Sequence, residues 1–227
     1  MLRVMLAALL TAAAPATAAE RAFPATGFDK VDLAAAAMVE VHAGGGFAIR
    51  ATGDQKLLDR LDLVVRNGTL VIGWRPGSAL TLRHSDALRI AVSMPRITAA
   101  TVSGAGTIAV DRAEIPDFTA TVDGAGTLRV AALHARRATL NVGGAGQVVA
   151  AGAAERVDAH VSGVGSIDAA ALAARAGFID MAGAGSIKVH VNGPAYVTMG
   201  GLGSVRVLGR ARCNVHKKGF GSVHCGA

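Results

Sequence analysis

The side chains of this sequence best suited to chemistry are His160 and Asp180, with Asn141. Stacked on neighbouring strands ~4.8 Å apart, a histidine and an aspartate could hold a metal or relay a proton. A second set, Arg129, Lys188 and Arg206, with Asp168 and His224 in the same register, could meet an anionic ligand such as an acidic glycan. His216 and His224 add imidazoles near the C-terminus, beside the only two cysteines, Cys213 and Cys225. Several chemistries have no counterpart. There is no Gly-x-Ser-x-Gly, no Walker loop, no dinucleotide fingerprint at a strand–helix junction and no Cys-x-x-Cys. No catalytic, metal or cofactor site is expected on these grounds.

Whether those side chains meet depends on a repeat. Gly-x-Gly recurs at Gly104–Gly106, Gly124–Gly126, Gly144–Gly146, Gly163–Gly165, Gly183–Gly185, Gly201–Gly203 and Gly219–Gly221, at intervals of 20, 20, 19, 20, 18 and 18 residues. Val102, Val122, Val142, Val161, Met181, Met199 and Lys217 stand two before each first glycine. Ile108, Leu128, Val148, Ile167, Ile187, Val205 and Val223 stand four after it. Even offsets are apolar and the odd ones mostly polar, so each glycine step separates two strands with one face inward. A unit of this length is too short for a βαβ crossover. It fits one coil of a β-solenoid, whose apolar faces are buried only by stacking on one another. The glycines are expected at positive φ, and to let neighbouring corners approach. Calcium-binding solenoids need a nine-residue period with Asp at the turns, a pattern absent here.

The register then places the candidates. Asn141, His160 and Asp180 share an outward column with Thr101, Thr121, Thr198 and His216, the pattern of an ordinary solvated strand face. Lys217 takes a core offset in the last coil, which suits a terminal repeat with a polar end. Cys213 and Cys225 lie six residues either side of Gly219 and face inward; in an oxidising compartment they predict a disulfide, the alternative being two buried thiols. The residue between the glycines changes from Ala105, Ala125 and Ala145 to Val164, Leu202 and Phe220. Inward packing of Leu202 and Phe220 at a tapering end is the favoured reading. Turned outward, they would form an apolar spot through which the C-terminal end could bind a partner or a second copy.

Arg3, the apolar run Val4–Ala14 and Ala16-Thr17-Ala18 read as an export signal over residues 1–19, cleaved after Ala18 or Ala19. No other apolar run approaches 18 residues, so no transmembrane segment is expected. Without Arg3, 22 Lys and Arg face 16 Asp and Glu, a net charge of +6. Anionic partners are favoured, but nucleic acid is not: aromatics are 4% of the chain and no basic run alternates with stacking residues. Residues 20–227 read as one domain. Its first half (28–100) is irregular β, with strands at Val39–Val41, Phe47–Arg50 and Leu88–Met94, an Asn67-Gly68 hairpin and a helical turn near Gln55–Leu61.

Taken together, Phe28-Asp-Lys-Val31, Val39-Glu-Val41 with its glycine turn, Leu70-Val-Ile-Gly73, Val92-Ser-Met-Pro95 and Val102-Ser-Gly-Ala-Gly106 with its copies resemble the putative auto-transporter adhesin head GIN domain family of bacterial envelope proteins. The resemblance runs from about Phe28 to Cys225. It implies an all-β, single-stranded, right-handed parallel β-helix and an adhesin-like role, and it names no catalytic residues. The sequence thus points to a non-enzymatic exported protein, periplasmic or at the cell surface, that presents a rigid β-helix for binding an anionic glycan or envelope component. A glycan-active enzyme using His160 and Asp180, and a structural spacer or assembly subunit, are the alternatives.

Overall fold

A computed structural model of the chain describes residues 19–76 and 88–226. The export signal expected over residues 1–19 lies outside them, save Ala19. Ala19 opens β1 (Ala19–Ala22), and the first coil follows as β2 (Lys30–Leu33) and β3 (Met38–Ala43). An excursion comes next: β4 (Ala48–Gly53), helix α1 (Gln55–Arg60), β5 (Leu61–Arg66), β6 (Thr69–Trp74) and β7 (Arg89–Met94). The short helix forms because Asp54 caps it, its carboxylate accepting from Lys56 N at 2.8 Å, and because Leu57 and Leu58 reach the core. Asn67 (φ 50°) and Gly68 (φ 75°) turn the β5–β6 hairpin as the Asn-Gly pair predicts.

From β8 (Ala99–Val102) and β9 (Thr107–Glu114) the coils run regularly through β10 (Asp117–Val122), β11 (Thr127–Val142), β12 (Gln147–Val161) and β13 (Ser166–Met181). They continue as β14 (Ser186–Val191), β15 (Pro194–Met199), β16 (Ser204–Leu208), β17 (Arg212–Lys217) and β18 (Ser222–Cys225). Two parallel ladders result. Strands leading into the glycine corners stack as β8, β10, the ends of β11 to β13, β15 and β17. Strands leaving them stack as β9, the starts of β11 to β13, β14, β16 and β18. The fold is all-β, a β-solenoid, as the repeat demands. Its core is the set of inward columns: Val102, Val122, Val142, Val161, Met181 and Met199 are buried in one, Ile108, Leu128, Val148, Ile167, Ile187 and Val205 in another.

The solenoid also reaches further towards the N-terminus than the glycine motif marks. Val31 pairs with Ala100 and Leu33 with Val102, while Val39 pairs with Ile108 and Val41 with Val110. Residues 30–43 are therefore a coil in register, turned at Ala34–Ala37 rather than at glycines. Below it, β6 and β7 form a further parallel layer against β2 and β3. The antiparallel strands β5, β4 and β1 then close that end, which removes a parallel edge that would otherwise invite pairing.

The corner glycines correct one expectation. None of the fourteen has positive φ; that conformation occurs instead at Gly27, Gly44, Gly68, Gly152, Gly209 and Gly226. Close approach is the reason for glycine. At each corner the missing Cβ would point along the solenoid axis into the preceding coil: from Gly124 onto Gly104 O, from Gly144 onto Gly124 O, from Gly201 onto Gly183 O, all nearer than 3.0 Å. Those carbonyls accept hydrogen bonds from the coil that crowds them, as Ala125 N to Gly104 O at 3.1 Å and Ala145 N to Gly124 O at 3.1 Å. Ala34–Ala37 carries no glycine itself but supplies the carbonyls that crowd the next corner, as Ala34 O and Ala37 O beneath Gly104 and Gly106; a Cβ on Gly73 would meet only Ala34 Cβ, at 4.0 Å.

Candidate functional site

The ladder that leads into the corners carries the predicted polar column. Asp32, Thr101, Thr121, Asn141, His160, Asp180, Thr198 and His216 pair in sequence across it. Asn141 Nδ2 donates to Thr121 Oγ1 at 3.4 Å. His160 Nδ1 lies 4.0 Å from Asp180 Oδ2, beyond a hydrogen bond, and both side chains are open to water. Among the described residues no group of three His, Cys, Asp or Glu side chains is placed to hold a metal ion. The column is brought together as the register requires, but it has the character of a solvated face.

The neighbouring column on the same face holds what the sequence reading did not single out. Thr139, Asp158, Phe178, Tyr196 and Asn214 stack on adjacent strands. Phe178 and Tyr196 lie side by side with ring centroids 6.4 Å apart and planes tilted by 36°. They are 39% and 53% exposed, an unusual place for two large rings. Arg156 sets its guanidinium 5.8 Å from the Phe178 centroid. Its Nε also donates to Asp158 Oδ1 at 2.6 Å, and Arg137 Nε lies 3.7 Å from Asp158 Oδ2. Asp158 is largely covered, so it holds both arginines at the surface. Asp117, Arg136, Arg137, Glu155 and Arg156 line an adjoining depression of ≈ 330 Å³. The signal for the rings was in the register: Phe178 and Tyr196 each stand five residues before a corner glycine, an outward offset.

The opposite ladder carries Arg129, Lys188 and Arg206, and it splits them. Lys188 and Arg206 pair directly, with His224 next. Arg129 is separated from Lys188 by Val149 and Asp168. Lys188 Nζ lies 3.9 Å from Asp168 Oδ2, which offsets part of its charge. This face is not one continuous cationic strip.

The corner residues overturn the inward reading. Val164 is exposed, Leu202 is 70% exposed and Phe220 is 93% exposed. They continue the alanines as an outward ridge, since the residue between two glycines whose backbones approach the coil below has only the solvent side to occupy. Beside this ridge runs a shallow groove of ≈ 490 Å³, with Thr127, Gln147, Ser166 and Ser186 along it. At the C-terminal end Cys213 and Cys225 form the expected disulfide, Cα atoms 6.3 Å apart. They sit in inward columns above Ala195 and Val207, yet neither is buried, because the last coil has no described coil beyond it. Val215, at a core offset, is 44% exposed for the same reason, and Lys217 is exposed as a polar end residue.

A parallel β-solenoid whose broad outer faces, rather than an enclosed cleft, carry its distinctive side chains is the class these features define. Within that class the chain belongs to the family described as "Putative auto-transporter adhesin, head GIN domain", whose model matches residues 27–211. A crystal structure from Bacteroides fragilis, named a putative adhesin, is similar over 93% of this chain and 98% of its own, with a TM-score of 0.87 at 19% identity. A Parabacteroides distasonis protein named a putative lipid binding protein covers 93% and 97%, with a TM-score of 0.71 at 16% identity. A putative adhesin from Parabacteroides merdae covers 93% and 97%, with a TM-score of 0.68 at 16% identity. At these identities the likeness is one of fold. No curated protein matches the chain. No helix among the described residues is long and apolar enough to cross a membrane.

Proposed function

We propose that this chain is an exported, non-enzymatic envelope protein that binds an anionic glycan on the outer face of its β10–β17 ladder. The observation that carries the reading is the exposed Phe178–Tyr196 pair beside Arg156 and Arg137. A pyranose ring has an apolar C–H face that packs on an aromatic ring, and its uronate or sulfate groups take charge-assisted hydrogen bonds from guanidinium groups. Stacked strands fix the spacing of these groups at ~4.8 Å per coil without a cost of ordering a loop. Membership of a family of adhesin heads supports a binding role for the face. The split of Arg129 from Lys188 and Arg206 favours this ladder over the opposite one.

The test is glycan-array and calorimetric binding with acidic polysaccharides. Phe178→Ala and Tyr196→Ala are each expected to weaken binding by about 1–2 kcal/mol, roughly 5- to 30-fold, in line with exposed aromatic anchors. Reversing Arg129, Lys188 and Arg206 together should leave this affinity within about threefold, apart from the loss of long-range attraction at low salt. Binding that survives both ring substitutions but vanishes on the triple charge reversal would move the site to the opposite ladder. Turnover of the polysaccharide lost with His160→Ala would replace the binding reading with a catalytic one.

A further inference from the structure

The positive charge of this protein is not spread over its surface. After Asp180 the sequence contains no Asp or Glu, whereas Lys188, Arg206, Arg210, Arg212, Lys217 and Lys218 all follow it. These six equal the entire net charge of the chain without Arg3, so residues up to Asp180 carry as many acids as bases. The fold converts that run into a place. Lys188 stands on β14, Arg206 on β16, Arg212 and Lys217 on β17, with Arg210 and Lys218 in the adjoining turns, so the cations crowd the last three coils. Among the described residues Lys188 lies 3.9 Å from Asp168, and the other five make no ion pair. At the same end Phe220 stands 93% exposed and Leu202 70% exposed on one corner ridge. The family match stops at residue 211, so β17, the disulfide, Lys217, Lys218 and Phe220 lie beyond it.

Cations on the last coils, with Lys217 and Lys218 three and two residues before the exposed Phe220, are complementary to an anionic lipid headgroup layer, which attracts the charges and admits the ring at its apolar boundary. This end is poorly suited to a second copy: two such ends meeting would oppose like charges across the contact. We infer that the C-terminal coil docks by its exposed corner against an anionic phospholipid surface, with Phe220 entering the headgroup region and Lys217 and Lys218 meeting phosphates. The lateral Phe178–Tyr196 face then stays exposed along the axis, so the two sites are separate and this inference does not rest on the glycan reading.

Vesicle co-sedimentation of the mature chain tests it. Binding is expected to vesicles rich in phosphatidylglycerol and not to phosphatidylcholine alone, and to weaken steeply as salt rises from 0.05 to 0.5 M. Neutralising two cations with K217Q and K218Q together should weaken binding about 30-fold, at about one RT-scaled decade and a half for two charges. Phe220→Ser should weaken it about tenfold. A Phe220→Trp variant should show blue-shifted emission on adding the anionic vesicles, beyond any change from Trp74 in the parent. All three variants alter exposed side chains, and unchanged melting curves check that they fold. The inference is overturned if the chain ignores the anionic vesicles, if it binds neutral ones equally, if K217Q/K218Q binds like the parent, or if Phe220 instead drives lipid-free dimers. Retention on a soluble acidic polysaccharide through Lys217 and Lys218, with no vesicle binding, overturns it too. Loss of glycan binding in Phe178→Ala with vesicle binding intact would separate this site from the lateral one.

Discussion

At the scale of single residues the corner glycines and the cysteines make opposite demands. A side chain at Gly144 would run into the carbonyls of Gly124 and Asp123, which are backbone atoms fixed by the stack. Gly144→Val should therefore destabilise the protein by about 3 kcal/mol or more, the upper range for overpacking. In a chain of this size that lowers the melting temperature by about 6–12 °C. Gly45→Ala is the matched control: nothing lies within 4 Å of its Cβ and its φ is not positive, so its melting temperature should move by less than about 2 °C. An unchanged melting curve for Gly144→Val would refute the contact. The Cys213–Cys225 bridge acts differently, by restricting the unfolded chain across a separation of 12 residues. Replacing both cysteines by Ser should cost about 2–3 kcal/mol. Because solenoid coils interact mainly with their neighbours, the loss should be local. Amide exchange should accelerate in β17 and β18 while β11 and β12 keep their protection.

At the scale of elements, the uneven repeat lengths acquire a cause. The coil between Gly144 and Gly163 is one residue shorter than the coils flanking it, and the ladder slips there, between Val130 and Leu133 on one side and between Val149 and Ala151 on the other. Gly152 absorbs the slip at φ 128°, with its absent Cβ aimed at Leu133 backbone. The last two intervals lose the continuous strand that turns the far side of earlier coils. Turns around Asn192-Gly193 and Gly209-Arg210 replace it, and Asn192 Oδ1 accepts from Arg210 N at 3.1 Å to tie one turn to the next. At the opposite end β1 is held by a clamp. Arg21 donates to Asp59 Oδ1 at 2.6 Å, and Gln55 Nε2 donates to the same oxygen at 2.9 Å. The Arg21 hydrogen bond, then that of Gln55, holds the Asp59 carboxyl below its ordinary value of 3.8. A depressed carboxyl contributes stability above the unfolded value and loses it as pH falls through the folded one. Protection of the β1 amides should thus stay constant from pH 7 to pH 5 and fall only in acid below about 4. Asp59→Asn should show the weakened β1 already at pH 7. Equal protection in parent and variant at neutral pH would remove the clamp from the account.

At the scale of the whole molecule, the body up to Asp180 is charge-balanced and the last coils are cationic, while the exposed Phe178 and Tyr196 rings lie on one flank. The coil register, the disulfide and the polar end were legible in the sequence because each follows from period-two alternation about a fixed glycine. The first coil was not, since Ala34–Ala37 turns it without the Gly-x-Gly mark that defined the repeat. Phe178 and Tyr196 were legible in principle, being at an outward offset, but their pairing needed the knowledge that coils of unequal length still align them.

The sequence by itself determined the all-β solenoid, the inward and outward columns and the partners across each rung, because stacking forces equivalent offsets into register. Tertiary structure alone decided three matters. It showed that the corner glycines answer to a neighbouring carbonyl and not to positive φ, a distance between coils that no local pattern encodes. It turned Leu202 and Phe220 outward, since the direction of a corner side chain depends on what lies beneath it. It also set Arg156 over the Phe178 ring and gathered Arg156 and Arg137 on Asp158, because the reach of side chains between neighbouring columns is not set by shared offset alone.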